Sequence, residues 1–301
     1  MSAPGLSIFW FRRDLRLHDN AGLYYALKEN KNVLPVFIFD TIILDKLENK
    51  KDRRLDFIHQ ALQALQKKLA ALGSGLHVYQ GDPVSVFKKI LSQHKVNAVY
   101  TNHDYEPYAR ERDETIRGLI ESQGIIFKTS KDQCIFDKDE VLKPDGKPYT
   151  VFTPYSRKWK SQLQPFYYRS YPVEKYFSSL HQFSSPALPS LTELGFEETG
   201  FVAAKAAMPE SLLLAEYKDK RNFPALKGTS RLSMHLRFGT LSIRELVRRA
   251  LPLSATWLNE LIWREFYMMI LWHFPHAAED PFKKEYRHIA WVNNEADFDK
   301  W

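Results

Sequence analysis

The chain has 301 residues, 44% hydrophobic and 26% charged, a globular composition that excludes disordered, collagenous and disulfide-scaffold classes and gives room for about two domains. Its single cysteine, Cys134, cannot close an intramolecular disulfide, and no apolar run approaches the ~20 residues that cross a bilayer. The net charge of +7 admits phosphate-bearing partners, but 19 basic and 15 acidic residues in 1–130, 9 and 9 in 131–200 and 15 and 12 in 201–301 show that no tail carries it. Arg12, Arg13 and Asp14 interrupt the N-terminal apolar stretch too early for a secretory signal, so a cytoplasmic protein without membrane attachment is expected.

In chain order, Leu6–Phe11, Val33–Phe39, Leu76–Tyr79, Ala98–Thr101 and Ile125–Lys128 read as buried strands, short and rich in β-branched and aromatic residues. Helix-length segments separate them. The clearest is 51–72, where Leu55, Ile58, Leu62, Leu65, Leu69 and Leu72 recur at alternating spacings of three and four. Strands joined by helices run parallel with right-handed crossovers, so residues 1–130 are expected to form a Rossmann-like, doubly wound α/β domain. Ligands of such sheets lie beyond the strand ends, here Arg12–Arg16, Asp40, Gly81–Asp82 and Asn102–Glu106. Neither a G-x-G-x-x-G after the first strand nor a P-loop string occurs, which disfavours a dinucleotide dehydrogenase and a P-loop NTPase.

Residues 131–200 hold seven of the sixteen prolines and read as a connector; their aromatic residues, Tyr149, Phe152, Tyr155 and Trp159 among them, require a packing partner. From 201 to 301 the pattern is helical, over 201–220, 239–251 and 257–273, with no convincing strand, so a second, all-helical domain is expected. Five of the seven tryptophans fall in the last 45 residues, which suits a large apolar core or a planar ligand.

Two segments carry candidate chemistry. Gly228-Thr229-Ser230-Arg231-Leu232-Ser233 follows Tyr217 and the turn at Arg221, and its small hydroxyl residues and arginine suit a pyrophosphate cradle; an ordinary capped helix start is the alternative. In 257–267, Trp257, Glu260, Trp263, Arg264 and Tyr267 fall on one broad helical face, aromatic and charged together, as stacking and hydrogen bonding of a flat ligand would need; a buried helix with an Arg–Glu pair is the alternative. His103-Asp104 and His273/His276 lack partners at metal-ligand spacing, so no metal is expected; Cys134 has no poised histidine, and Ser230 sits in no nucleophile elbow.

Taken together, residues 8–20 (IFWFRRDLRLHDN), 102–113 (NHDYEPYARERD), 228–233 (GTSRLS) and 257–267 (WLNELIWREFY), in this order along the chain, resemble the DNA photolyase/cryptochrome family, most closely its bacterial cyclobutane pyrimidine dimer photolyases. The resemblance implies an antenna domain at 1–130, a connector at 131–200 and the N-terminal part of a helical FAD-binding domain at 201–301. It implies light-driven electron donation from reduced FAD to a pyrimidine dimer in UV-damaged DNA, by a monomer. By position, Tyr217, Thr229, Ser230, Arg231, Leu232, Ser233 and Trp257 would contact FAD. Glu260 and Trp263 would meet the flipped dimer, Arg221, Arg264 and Tyr267 would lie at the DNA, and Trp291 would be the outer, solvent-side member of an electron-transfer chain. The family pattern continues past the position of Trp301, so the sequence reads as a photolyase truncated at its C-terminus. Tyr108 and Ala109 stand where folate-binding members carry Asn and Glu; folate, a deazaflavin or a flavin remains open as a second antenna chromophore. A cryptochrome-type light sensor, a (6-4) photolyase and an inactive chromophore-binding fragment are the alternatives.

Overall fold

The computed structural model describes residues 5–184 and 186–301. Five strands, β1 (Leu6–Phe11), β2 (Val33–Asp40), β3 (His77–Gly81), β4 (Val96–Asn102) and β5 (Ile126–Ser130), form one parallel sheet in the order β3-β2-β1-β4-β5. Helices α1 (Ala21–Glu29), α2 (Thr41–Leu44), α3 (Arg53–Ala70), α4 (Pro83–Gln93) and α5 (Pro107–Glu121) lie between and after them. The strand alternation sorts the core: Phe9 and Phe11 face a cluster with Leu62, Leu65 and Leu69 of α3, while Ile8 and Trp10 face Phe87 and Ile90 of α4 and Ile116 and Ile120 of α5. Asn20, Asp40, Asp52 and Asp82 cap α1 to α4 by accepting backbone N–H groups that the first turn leaves without partners.

The second half is helical: α6 (Phe152–Gln162), α7 (Ser211–Lys220), α8 (Ser233–Arg237), α9 (Ile243–Ala250), α10 (Ala255–His273) and α11 (Glu295–Lys300), with short 3₁₀ turns. No named strand follows β5 among the described residues. The periodicity over 201–220 proves helical only from Ser211; before it, the Phe201 carbonyl accepts from Gln60 Nε2 at 2.6 Å and the Ala203 N–H donates to Gln60 Oε1 at 2.9 Å, so the Gln60 side chain of α3 holds this stretch extended and takes the Phe201 carbonyl that a helix would have paired internally. The proline-rich 131–200 stretch contains an eleven-residue helix, α6, because Pro154 falls in its first turn, where no N–H is needed.

The stretch 131–200 is divided between two cores. Ile135, Phe136, Val141, Tyr155 and Trp159 pack with Leu246, Val247, Leu258, Ile262 and Phe266 of the helical half, whereas Val173, Leu180, Leu191, Leu194 and Phe196 pack on the sheet and α3. A buried ionic cluster also joins the halves. Asp132 accepts from Arg16 Nη2 at 2.8 and 2.9 Å, from Arg244 Nη2 at 2.8 Å and from the Ala21 N–H at 3.0 Å; Asp19 accepts from Arg244 Nε at 2.8 Å and from Ser242 Oγ at 2.5 Å. Gly239, at φ +62°, brings α8 so close to the loop after β1 that a Cβ there would lie 2.1 Å from the Arg13 carbonyl oxygen.

Candidate functional site

The strand order reverses between β1 and β4, and the loops leaving these two strands form one wall of a cleft of about 450 Å³. Arg13, Tyr105 and Glu106 come from that wall; Tyr217 of α7, Ser230, Leu232, Ser233 and helix α10 complete it. Of the strand-end segments read from the sequence, Arg12–Arg16 and Asn102–Glu106 reach the cleft, through Arg13, Tyr105 and Glu106, whereas Asp40 and Gly81–Asp82 do not line it. Glu106 bridges the halves, pairing with Arg13 at 2.5 Å and with Arg237 at 2.5 Å. Its burial pushes the carboxyl pKa up, but Arg13 and Arg237 outweigh this and hold it below the ordinary value.

Helix α10 supplies the opposite wall. It starts at Ser254, whose hydroxyl accepts the Trp257 N–H at 3.3 Å. At about 100° per residue, Trp257, Leu261, Arg264, Met268 and Leu271 form a narrow stripe with Glu260 at its edge, and these six line the cleft. The Trp257 indole N–H points to Ser230 Oγ at 3.4 Å, tying the 228–233 loop to the helix. Glu260 is ion-paired with Arg221, just after α7, and Arg221 also lies over the Tyr217 ring at 5.7 Å. Burial and the nearby Glu260 raise the Tyr217 hydroxyl pKa, keeping it a neutral donor.

The remaining residues singled out in the sequence lie elsewhere. Thr229 and Arg231 are exposed and do not line the cleft; Arg231 sits at φ +51°, in the left-handed region. Arg264, expected at the DNA, is a clamp within the cleft wall: it donates to the Gln133 carbonyl and, at 3.2 Å, to the Leu236 carbonyl, and burial lowers its pKa. Trp263 and Tyr267 fall on the flank of the stripe, about 80–120° around the helix from Trp257, and neither lines the cleft. Trp263 instead stacks on Phe152 of α6 with ring centroids 3.6 Å apart and planes 5° apart, and Tyr267, 59% exposed, lies 5.6 Å beyond it. Trp291 is 76% exposed. No group of three or more metal-ligating side chains occurs among the described residues.

Sequence reasoning missed Phe152 as a partner of Trp263, and it missed Glu265. This carboxylate is 1% exposed and accepts the Ile135 N–H at 2.5 Å, the Phe136 N–H at 3.2 Å and the Trp159 indole N–H at 2.6 Å. Burial drives its pKa up to about 7 against those three donors. The spacing Phe152, Tyr155, Trp159 carried the signal for α6, since i, i+3 and i+7 share a helical face.

The model of the DNA photolyase family matches residues 7–175, more than half of the chain, and the model described as the FAD-binding domain of DNA photolyase matches 257–301. The chain belongs to the DNA photolyase family. A deoxyribodipyrimidine photo-lyase of Synechococcus is 35% identical over all of this chain and 67% of its own length. An uncharacterized 31.6 kDa protein of another Synechococcus strain is 35% identical over 88% of this chain and its own entire length. An archaeal photolyase from Sulfolobus tokodaii, whose crystal structure holds two FAD molecules, superposes with a TM-score of 0.81 at 30% identity over 98% of this chain and 66% of its own. A Synechocystis cryptochrome shares the fold, with a TM-score of 0.78 at 20% identity. The chain thus spans about two thirds of the photolyases it matches. The α/β sheet with a following helical region, expected from the sequence, is the photolyase architecture. No described helix is long and apolar enough to cross a membrane.

Proposed function

We propose that the chain serves light-dependent DNA repair, splitting cyclobutane pyrimidine dimers as a photo-lyase that uses FAD. The observation that carries this reading is the cleft, where one stripe of α10 (Trp257, Glu260, Arg264) meets Tyr217, Ser230 and Ser233 at the switch point of the sheet. The donor set fits a flavin dinucleotide. Leu232, Leu236, Leu261, Met268 and Leu271 give an apolar wall for a flat ring, while the hydroxyls of Ser230 and Ser233 and the cations Arg13 and Arg237 provide for phosphate.

Reduced FAD bound there would supply, on absorbing light, the electron that opens the dimer. The chain's residues hold and shield the reaction: Tyr217, Ser230, Ser233 and Trp257 would bind the cofactor, and the leucines would exclude water. Glu260 would accept hydrogen bonds from the dimer's base edges, with its carboxylate held in place by Arg221 until DNA phosphate competes for that guanidinium. A dimerised pair stacks poorly, so moving it out of the duplex costs less than moving normal bases. Trp263, half-buried and flanked by the exposed Tyr267, would stack on the extruded bases. A second, light-gathering chromophore would lie at the strand ends; there Ala109 is buried and the Tyr108 hydroxyl donates to Asp40 Oδ2 at 2.7 Å, so neither offers the groups that folate-binding relatives are expected to use.

Trp263→Ala is expected to weaken binding to dimer-containing DNA by about 1–3 kcal/mol, the range for loss of one base stack, and to leave binding to undamaged DNA unchanged. Competition binding with matched duplexes reads this directly. An equal loss on both duplexes would contradict the stacking role.

A further inference from the structure

Resting on that reading of Trp263, we propose that Phe152 is a positioning residue: it fixes the plane of the Trp263 indole and thereby presets the platform for a flat, extruded pyrimidine. With centroids 3.6 Å apart and planes 5° apart, the phenyl ring covers one indole face, and the exposed Tyr267 ring lies 5.6 Å from the indole at 23° to its plane. Aromatic pairs left to themselves prefer offset or edge-on contacts to this face-to-face arrangement, because their quadrupoles repel. The surrounding packing therefore imposes the geometry.

Helix α6 is that packing. Phe152 is its first residue, and Trp159, seven residues on and on the same face, donates its indole N–H to Glu265 of α10 at 2.6 Å. Tyr155, between them, packs its ring against Phe266 at 5.2 Å. Phe266 in turn meets both members of the stack edge-on, Phe152 at 6.0 Å and 78°, and Trp263 at 5.7 Å and 80°. Trp159 and Tyr155 thus set where α6 starts, α6 sets Phe152, and Phe152 sets Trp263. A surface tryptophan without such a partner would have to lose rotamer freedom on binding; one already ordered binds without that cost.

The test compares Phe152→Leu, Phe152→Met and Phe152→Tyr in the 301-residue chain. The indole N–H resonance of Trp263, identified by its loss in Trp263→Phe, reports ring placement, and competition binding to duplexes with and without one thymine dimer reports the platform. Both non-planar replacements should shift that resonance and reduce the preference for the damaged duplex about tenfold, with affinity for undamaged DNA within twofold; Phe152→Tyr should keep both properties. The methionine variant carries the comparison if the leucine variant fails to fold. A preference that stays within twofold of the unsubstituted chain, a matching loss on both duplexes, or a tyrosine variant as impaired as leucine would overturn the proposal. If the unsubstituted chain shows no preference, or Trp263→Ala keeps it, the stacking reading itself fails, and the positioning role falls with it.

Discussion

Asp132→Ala is expected to destabilise the protein by about 3–5 kcal/mol, the cost of leaving buried charge uncompensated. Arg16 and Arg244 are each 3% exposed, and Asp132 is the carboxylate they share. Without it, Asp19 alone would face Arg244, and Arg16 would keep only the carbonyls of Asp19 and Gly239. The cluster joins the loop after β1, the start of the connector and α9, so its loss should uncouple the sheet from the helical half. Urea unfolding followed by tryptophan fluorescence and far-UV circular dichroism checks this: the midpoint should fall, and the two transitions should separate.

The same cluster sets an acid limit. Burial opposes the charged form of Asp132, but Arg16 and Arg244 outweigh it and hold the pKa at about 2, below the ordinary value of 3.8. A carboxyl depressed on folding contributes stability that is complete above about pH 4 and is lost as pH falls towards 2. Glu265 works in the opposite direction. Its pKa rises from 4.5 to about 7 on folding, so the folded state binds the extra proton and stability from this group declines as pH rises from about 4.5 through 7. Glu265→Gln should flatten the slope of unfolding free energy between pH 5 and 8, measured as urea midpoints across that range; a slope unchanged by the substitution would show that Glu265 is already ionised at pH 5.

Gly239→Ala is expected to cost about 3 kcal/mol, combining left-handed backbone strain with overpacking. Space cannot be made by rotating a side chain, because the added methyl group would meet backbone: the Arg13 carbonyl oxygen at 2.1 Å and the Asp14 Cα at 2.6 Å. Relief would pull apart the Leu15 N–H bond to the Phe238 carbonyl (3.0 Å) and the Arg16 bond to the Gly239 carbonyl (2.9 Å). Arg13 lines the cleft, so weakened flavin retention should accompany the loss of stability, by thermal unfolding and flavin absorbance on the same sample.

Where local pattern alone decides, the sequence was legible. Leu6–Phe11 is a strand at its expected bounds, because six residues, apolar but for Ser7 and set between a glycine and charged residues, are the length and composition of a strand buried on both faces. The heptad-like leucines of 53–70 are helical for the reason their spacing gave. What depended on distant partners was not legible. Nothing in 201–210 showed that α3, some 140 residues earlier, would take its backbone groups. On α10, a broad face could be counted but not divided into a cleft stripe and a flank, since that division depends on α6 reaching Trp263 and on the β1 and β4 loops facing Trp257. Glu265 looked like any helical glutamate, because its burial arises from Trp159, 106 residues away.

The central claim, that the cleft between the sheet's switch point and α10 holds flavin, is tested most directly by titrating FAD with the 301-residue chain and following flavin fluorescence anisotropy, beside Ser233→Trp, which adds bulk to the cleft wall at an exposed position. The account predicts saturable binding of one FAD per chain that Ser233→Trp abolishes. Absence of saturable binding, or equal binding by the two proteins, would contradict it.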